Sequence, residues 1–327
     1  MPDGRTRAFT GFGLLSILSF GKQGQPRPQP NEEGMRVRWT GARLSTLCLI
    51  IVAAVWGVPA DARPAPLRLD LQLSRSSLRQ GQTARLAVRT PASATSLKVM
   101  FAGHTWPVYR TGPSAWQTFL GTDPTTKPGR YGLTVEATGS AGVLARLQRD
   151  IHVARVAFPR RRVTFDPETA ALLTPEAVER ERRRVREALQ AVHPAQLWVD
   201  PLDLPLEGPI SSPYGVLSVY QGVTRGFHSG VDFAVPEGTV VRAAGAGIVR
   251  LAELLPLSGN AVMIDHGVGV ITSYQHLSAI DVSVRQQIQK GDVIGRVGST
   301  GLATGPHLHW GLRVNGVRVD PMPWTVR

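Results

Sequence analysis

Cysteine is nearly absent from this sequence, because Cys48 is the only one among 327 residues. A single thiol excludes an intrachain disulfide. Lysine is scarce as well, so arginine carries nearly all of the positive charge; the only lysines are Lys22, Lys98, Lys127 and Lys290. With 42% hydrophobic residues, the composition is that of a globular protein and excludes a disordered chain, a collagen or a bundle of membrane helices.

Acidic residues are too few to balance the basic ones. The chain has 24 Asp and Glu against 37 Lys and Arg, a formal net charge of +13. An excess of this size attracts polyanions, and nucleic acid, an anionic cell wall and a membrane surface all meet that description. Ordinary solvated surface charge is the alternative. No segment interleaves basic and aromatic residues as nucleic-acid-binding motifs do, so we expect no nucleic-acid partner.

Residues 35–62 are typical of an export signal. Three arginines precede an apolar stretch of 15 residues, Leu44–Val58, and an A-x-A cleavage site follows at residues 60–62. The apolar stretch is shorter than the roughly 20 residues that a membrane-spanning helix needs. We therefore expect cleavage and no stable membrane span afterwards, with an uncleaved anchor as the alternative.

Cleavage would remove Cys48, which lies in the apolar stretch. The mature protein would then carry no thiol, which suits an oxidising compartment. We expect an exported protein that is periplasmic, associated with the cell envelope, or secreted. Met35 stands where the signal would begin, whereas residues 1–34 resemble no targeting segment, so we interpret 1–34 as an extension of the gene model.

Residues 63–157 are predicted to form a small β domain. Four runs alternate between apolar and polar residues with the period of two that is typical of strands with one buried face. These runs are residues 67–73, 84–88, 96–101 and 131–137. Their spacing and the turn signals between them favour a β sandwich of the immunoglobulin-like type. Such a domain could hold its neighbour near a target, or block its neighbour's cleft.

Residues 158–200 are predicted to be a linker that contains a helix. Thr174 is a residue type that favours an N-cap, and Pro175 one that favours the first helical position. The helix is expected over Glu176–Val192. We expect it to pack against a domain rather than to bind nucleic acid.

Residues 201–327 are predicted to form a second β domain. Glycine and proline are frequent, helix signals are nearly absent, and short β-branched runs recur at residues 238–243, 247–250, 261–265 and 268–274. We expect a compact, mostly antiparallel domain. The chain as a whole is thus predicted to be mostly β, with an N-terminal β sandwich and a C-terminal antiparallel β domain joined by a short helix.

Five residues of the C-terminal domain are candidates for chemistry: His228, Asp232, His276, His307 and His309. The pair His228 and Asp232 is four residues apart and the pair His307 and His309 is two apart, so each pair would share one face of a strand. Two imidazoles and one carboxylate suit a catalytic Zn²⁺, which keeps a fourth position for water. The spacing leaves open which histidines are ligands and which act as general base or acid or stabilise an oxyanion.

Three separated segments of this domain resemble the signature segments of the lysostaphin-type (LytM-like) zinc endopeptidases. They are FHSGVDFA at residues 227–234, YQHLS at residues 274–278 and GLATGPHLHW at residues 301–310. The resemblance extends from about Leu206 to Pro323. One departure is Arg285, which stands where a further segment of the family usually begins with glycine.

The resemblance implies a role for each candidate residue. His228, Asp232 and His309 would be the ligands of one Zn²⁺ per chain, while His276 and His307 would be catalytic. The C-terminal domain would then be the catalytic domain of a zinc metalloendopeptidase, with a substrate cleft on its β sheet. The implied substrate is the peptide cross-links of bacterial peptidoglycan, in stem or bridge peptides, with a metal-activated water as the nucleophile.

Two other functions stay open on the sequence. A non-catalytic LytM-like module would bind or activate cell-wall hydrolases, but such modules typically lack metal ligands, and all five candidate residues are present here. A nucleic-acid-binding protein, suggested by the charge alone, would bind DNA in a salt-sensitive manner without zinc.

Other residues that often mark a function receive a structural interpretation. His266 lies in an Asp-His-Gly turn and is expected to support the turn or to pack. Trp106 and Trp116 are expected to pack in the core or at the edge of the first β domain rather than to form a sugar-binding platform.

Overall fold

The computed structural model of the protein describes residues 68–199, 201–220 and 223–325, which belong to one compact unit. The predicted signal segment 35–62 and the predicted extension 1–34 lie outside the described residues. Among the described residues, no helix is both long and apolar enough to cross a membrane.

Nine strands make up residues 68–157. They are β1 (Asp70–Leu73), β2 (Ser77–Arg79), β3 (Thr83–Arg89), β4 (Ser96–Phe101), β5 (His104–Trp106), β6 (Tyr109–Gly112), β7 (Ala115–Gly121), β8 (Gly129–Gly139) and β9 (Gly142–Ala154). One sheet has the order β1-β3-β7-β6 and the other the order β2-β9-β8-β4-β5.

The two sheets share one apolar core. Alternate residues point inward, as in β3, where Leu86 and Val88 are buried, and these pack in one cluster with Val99 of β4 and Val135 of β8. The expected β sandwich is therefore confirmed. The immunoglobulin-like topology stays a prediction.

Both tryptophans of this sandwich have structural roles. Trp106 is buried, and its Nε1 donates a hydrogen bond to the carbonyl oxygen of Phe101 at 3.0 Å. Trp116 Nε1 donates to Thr90 Oγ1 at 3.2 Å, and the Arg110 guanidinium lies over the Trp116 ring. These contacts agree with packing at the core and the edge.

The connecting segment contains one short strand and two helices: β10 (Arg160–Arg162), α1 (Pro167–Ala171) and α2 (Pro175–Gln190). Helix α2 begins where Thr174 Oγ1 accepts a hydrogen bond from the Ala177 N–H at 3.1 Å. It starts one residue earlier and ends two residues earlier than predicted. Helix α1, capped by Asp166, was not predicted.

The C-terminal region is built from twelve strands and one 3₁₀ turn. They are β11 (Ile210–Ser212), β12 (Leu217–Tyr220), β13 (Val223–Phe227), β14 (Gly230–Phe233), β15 (Val240–Arg242), β16 (Gly247–Leu255), β17 (Gly259–Asp265), β18 (Val270–Ile280), β19 (Gln287–Ile288), β20 (Val293–Val297), β21 (Leu308–Val314), β22 (Val317–Val319) and the 3₁₀ turn Met322–Trp324.

Ten of these strands form one sheet. Its main path is β11-β14-β21-β18-β17-β16-β19; β22 pairs with β21, and β20 pairs with both β15 and β18. All of its pairings are antiparallel, which confirms the predicted antiparallel domain. Strands β10, β12 and β13 form a separate three-stranded sheet.

Strand β21 shows how the two faces of the large sheet differ. Leu308, Trp310 and Leu312 are buried in the main core. The alternate residues His309, Gly311 and Arg313 therefore point to the opposite face. We call this opposite face the cleft face.

Helix α2 packs on the cleft face. Its Ala188 lies in a buried cluster with Met263 of β17 and Ile271 of β18. Ile271 is the direct cross-strand partner of Arg313, so the helix covers the sheet on the side that carries His309. The prediction that this helix packs against a domain is correct.

The β sandwich meets the large sheet elsewhere. Phe119 of β7 packs against Trp198 and Trp324, with ring centroids 6.0 and 5.1 Å apart. Asn315, in the turn after β21, donates hydrogen bonds from Nδ2 to Thr118 Oγ1 and to the Phe119 carbonyl oxygen.

Candidate metal centre and active site

His228 lies in the connection between β13 and β14, so the expectation of one strand running through His228 and Asp232 is wrong. The backbone of His228 is held in place by two hydrogen bonds, from its N–H to Val216 O at 2.7 Å and from the Gly215 N–H to its carbonyl oxygen at 2.8 Å. Gly230 then starts β14 so close to β21 that a Cβ would lie 2.3 Å from Trp310 O. Only glycine permits this approach.

Asp232 and His309 are brought together by strand pairing. They are direct cross-strand partners in the antiparallel pair β14 and β21, and such partners project to the same face. Asp232 Oδ1 lies 2.8 Å from His309 Nδ1 and 2.8 Å from His228 Nε2, and the two ring nitrogens are 2.9 Å apart. Three residues that are up to 81 positions apart in the chain thus place one atom each at a common point.

The three atoms have the chemistry of a metal-ligand group. His228 Nδ1 lies 2.9 Å from Pro213 O, and because a carbonyl oxygen only accepts, Nδ1 carries a proton, so in the neutral ring Nε2 is the atom that presents a lone pair. That lone pair faces an ionised carboxylate oxygen and a second ring nitrogen. Electron-rich atoms at such distances repel one another unless a cation lies between them. The side chains therefore fit a divalent metal ion.

The electrostatics of the group agree with this fit. Burial alone would raise the pKa of Asp232, but the contacts with His228 and His309 outweigh burial and hold the pKa below its usual range. Burial lowers the pKa of His309. A carboxylate and a neutral imidazole are the protonation states that a metal requires.

His276 reaches the cleft because β18 is irregular. Tyr274 is buried in the core, so in a regular strand His276, two residues on, would also face the core. The register with β17 shifts between Tyr274 and Leu277, and His276 has a left-handed backbone with φ of 63°. A bulge of this kind re-aims a side chain, and His276 lies in the cleft, with its ring centroid 4.8 Å from that of His307.

A backbone carbonyl orients each of the rings of His276 and His307. His276 Nδ1 donates to Thr300 O at 2.8 Å, and His307 Nδ1 donates to Gly305 O at 2.8 Å. In each ring Nδ1 therefore carries a proton, and His307 Nε2 lies 4.0 Å from Asp232 Oδ1. Burial, together with the charges of His307 and His309, lowers the pKa of His276 to about 3, so His276 is neutral at pH 7.

The five predicted residues line one cleft of about 230 Å³. Its remaining walls come from residues 161–165, from helix α2 and from strands of the C-terminal domain. No described residue of the β sandwich 68–157 lines it. The sandwich therefore does not block the cleft in this structure, and the connecting segment forms its outer wall.

Helix α2 is fixed over the cleft by its charged residues. Glu181 accepts hydrogen bonds from the Leu257 and Ser258 N–H groups and from Ser258 Oγ, at 2.7, 3.1 and 2.6 Å. Arg184 makes a two-point contact with Glu253, at 2.7 and 3.2 Å. The sequence predicted that this helix packs against a domain, but nothing in the local pattern shows which sheet it folds back on.

His266 lies away from the cleft, as expected. It is fully buried, its Nδ1 donates to Ala246 O at 2.8 Å, and its Nε2 is 2.8 Å from Thr272 Oγ1. Burial lowers the pKa of His266 to about 4. A neutral histidine with both ring nitrogens bonded has a packing role.

Comparison with known proteins identifies the family. The model of Peptidase family M23 matches residues 226–321, which include all five candidate residues. A solved protein from Pseudomonas aeruginosa assigned to peptidase M23 is 31% identical, with 75% of this chain and 93% of that chain covered and a TM-score of 0.55. The chain belongs to peptidase family M23, and the resemblance predicted from the three signature segments is confirmed.

Curated relatives are similar over the same region. The DD-carboxypeptidase/endopeptidase Mpg of Neisseria meningitidis is 46% identical over 113 residues, 35% of this chain and 26% of that protein. The peptidoglycan DD-endopeptidase ShyA of Vibrio cholerae is 46% identical over 95 residues, 29% of this chain and 22% of that protein. The chain thus spans about a quarter of the length of these relatives.

Proposed function

We propose that this protein is a zinc-dependent endopeptidase that hydrolyses peptide cross-links of bacterial peptidoglycan. The observation that carries the proposal is the convergence of His228 Nε2, Asp232 Oδ1 and His309 Nδ1 within 2.9 Å of one another. These atoms lie in a cleft that also contains two further imidazoles. A non-catalytic module would have no use for this whole set.

The ligand set favours zinc over other common divalent metals. Two imidazoles and one carboxylate match the ligands of catalytic zinc sites, whereas magnesium and calcium prefer oxygen ligands alone. A zinc ion held by His228, Asp232 and His309 would supply an activated water at neutral pH and polarise the scissile carbonyl.

The neighbouring histidines would move the protons. In His276 and His307 alike, Nδ1 donates to a backbone carbonyl, so Nε2 is the atom left to exchange a proton with the reactants. Either atom can accept the proton that the attacking water releases, and can then donate it to the leaving amine. The carbonyl contacts keep both rings oriented during the transfer.

The choice of substrate is supported by the relatives. Mpg and ShyA are both named as endopeptidases, ShyA as one of peptidoglycan, and each is 46% identical to this chain around the candidate site. The net charge of +13 would also favour contact with an anionic cell wall. An exported location, as predicted from residues 35–62, would bring the enzyme to this substrate.

Digestion of purified muropeptide dimers of known cross-link tests the proposal. The zinc-loaded protein is expected to split the cross-link with the addition of one water, as identified by the masses of the products. The His309→Ala variant serves as the control and should leave the dimers intact. A zinc-loaded protein that leaves every dimer intact would contradict the proposal and would favour the non-catalytic module.

A further inference from the structure

Two arginines lie next to each other on the cleft face. Arg313 of β21 and Arg318 of β22 are direct cross-strand partners, so their side chains project to the same side. Arg313 is four residues after His309 on a strand without a register shift against β18, which places it on the same face as the metal-ligand group. Both arginines line the cleft.

Arg313 lacks a partner for part of its guanidinium. Its Nη1 is buried and has no hydrogen-bond partner among the described residues. Burial and the charge of Arg318 lower the pKa of Arg313 well below its usual value, with Glu181 acting in the opposite direction. A buried guanidinium in this situation would be stabilised by an anion.

Glu181 does not meet this requirement. Its carboxylate is already bound by the N–H groups of Leu257 and Ser258 and by Ser258 Oγ. The described charged residues that line the cleft are Arg161, Arg182, Arg313 and Arg318 against Glu181 and Asp232. Because Asp232 belongs to the metal-ligand group, the part of the cleft around Arg313 has an excess of positive charge.

The position of Arg313 fits a substrate that lies along β21. A strand rises about 3.4 Å per residue, so the Cα atoms of His309 and Arg313 are separated by roughly 14 Å. An extended peptide advances about 3.3–3.6 Å per residue. A peptide with its scissile bond at the metal-ligand group would pass Arg313 within about four residues.

We propose that Arg313, with Arg318 beside it, forms a subsite for a free carboxylate of the peptide substrate, within about four residues of the scissile bond. The inference rests on the proposed function and adds a substrate class to it: stem peptides that carry an un-amidated carboxylate. A guanidinium binds a carboxylate through two parallel hydrogen bonds, and a neutral amide cannot replace that contact.

The test compares two matched cross-linked peptides, one with the free carboxylate and one with the corresponding amide. The zinc-loaded protein is expected to show a kcat/KM about 10- to 100-fold higher for the carboxylate peptide, which is the usual effect of one charge-assisted hydrogen-bonded pair. Arg313→Gln and Arg313→Met should both reduce this preference to near unity by losing rate on the carboxylate peptide alone.

A matched control is Arg296→Gln, which changes an exposed arginine of β20 outside the cleft and should keep the full preference. Zinc content and thermal unfolding show whether each Arg313 variant is folded. One folded variant, Arg313→Gln or Arg313→Met, is enough for the test. Equal cleavage of both peptides by the unmodified protein would overturn the subsite while leaving the proposed function intact. Equal loss on both peptides in the Arg313 variants would also overturn it. Cleavage of neither peptide by the unmodified protein would overturn the proposed function and the subsite together.

Discussion

His266, directly after β17, and His309 of β21 are both buried histidines of the C-terminal domain, and they differ in what their ring nitrogens face. His266 donates from Nδ1 to Ala246 O and has Thr272 Oγ1 at Nε2, so each nitrogen has a complementary partner. His309 Nδ1 faces His228 Nε2 and a carboxylate oxygen of Asp232. The first arrangement is complete without any ligand, whereas the second places three possible metal ligands together.

Residue type alone therefore does not separate a structural histidine from a ligand. The difference lies in the direction of the other ring nitrogen and in the charge of its neighbours. His266 is satisfied by a carbonyl and a hydroxyl, groups that a single neutral tautomer can match. The group around His309 brings two ring nitrogens and a carboxylate oxygen within 2.9 Å of one another, an arrangement that fits a metal ion.

The largest expected effect follows from removing His309, the histidine of the proposed metal-ligand group. His309→Ala deletes one of three ligand atoms, so we expect loss of zinc and of peptide cleavage together. Zinc is measured by elemental analysis after metal-replete purification, and cleavage with muropeptide dimers. His104→Ala, which removes an exposed histidine of the β sandwich, should keep one zinc per chain. Full zinc content in the His309 variant would show that His309 is not a ligand and would contradict the proposed difference between His309 and His266.

The second prediction distinguishes a metal ligand from a residue that transfers a proton, and it concerns His276. His276→Ala should keep zinc, because His276 is outside the ligand group, and should lower kcat by about 10²- to 10⁴-fold, the usual contribution of a general acid or base. Single-turnover kinetics and zinc analysis measure the two effects separately. Undiminished cleavage by this variant would show that His276 carries no proton in the reaction.

The third prediction concerns His266, the histidine whose two ring nitrogens both have hydrogen-bond partners. Burial lowers the pKa of His266 to about 4 in the folded protein, against about 6.5 in an unfolded chain. The unfolded state therefore binds a proton first as the pH falls. The stability that neutral His266 contributes is present above about pH 6.5 and is lost on the way down to pH 4, a change of about 3 kcal/mol.

His266→Gln should flatten that part of the pH dependence while zinc binding is kept. The free energy of unfolding, measured with denaturant between pH 7 and pH 4 for both proteins, gives the difference. His104→Gln is the control and should leave the slope unchanged. Parallel curves for the unmodified protein and the His266 variant would mean that His266 is protonated as easily when folded as when unfolded.

The smallest effect is expected at a backbone position. Arg285 and His276 both have positive φ, 72° and 63°, which costs a non-glycine residue about 1–2 kcal/mol. At His276 this conformation aims a ring into the cleft, whereas the exposed Arg285 side chain has no comparable role. Arg285→Gly should stabilise the fold by about 0.5–1 kcal/mol after the entropy cost of glycine is included, with activity unchanged.

Arg285→Ala is the matched control for that substitution. It removes the same side chain but keeps the strained backbone of a non-glycine residue, so it should bring no stabilisation. Denaturant midpoints measure both variants. An equal gain from alanine would show that the side chain of Arg285, and not its φ, is unfavourable.

Much of the site could be predicted because its residues occur in compact motifs. Alternation of apolar and polar residues marked strands such as β4, whose bounds Ser96–Phe101 agree with the predicted run. The three signature segments identified the family and pointed to the five candidate residues. The glycine usually found at position 285 was noted as missing, and the structure shows that this position has the left-handed backbone glycine favours.

Other features depend on contacts between distant parts of the chain. The bulge that turns His276 into the cleft arises from the pairing of β18 with β17, which no local pattern reveals. His228 lies in a connection because Gly215 and Val216 bind its backbone. The fold of α2 onto the cleft face, and the pairing of Arg313 with Arg318, likewise appear only when the sheet is assembled.

X-ray absorption at the zinc edge of the metal-replete protein tests the central claim most directly. The account predicts one zinc per chain with two imidazole nitrogens at about 2.0–2.1 Å and a carboxylate oxygen at about 2.0–2.2 Å, and loss of this spectrum in the His309→Ala variant. Less than half an equivalent of zinc, or a spectrum that the His309 substitution leaves unchanged, would contradict it.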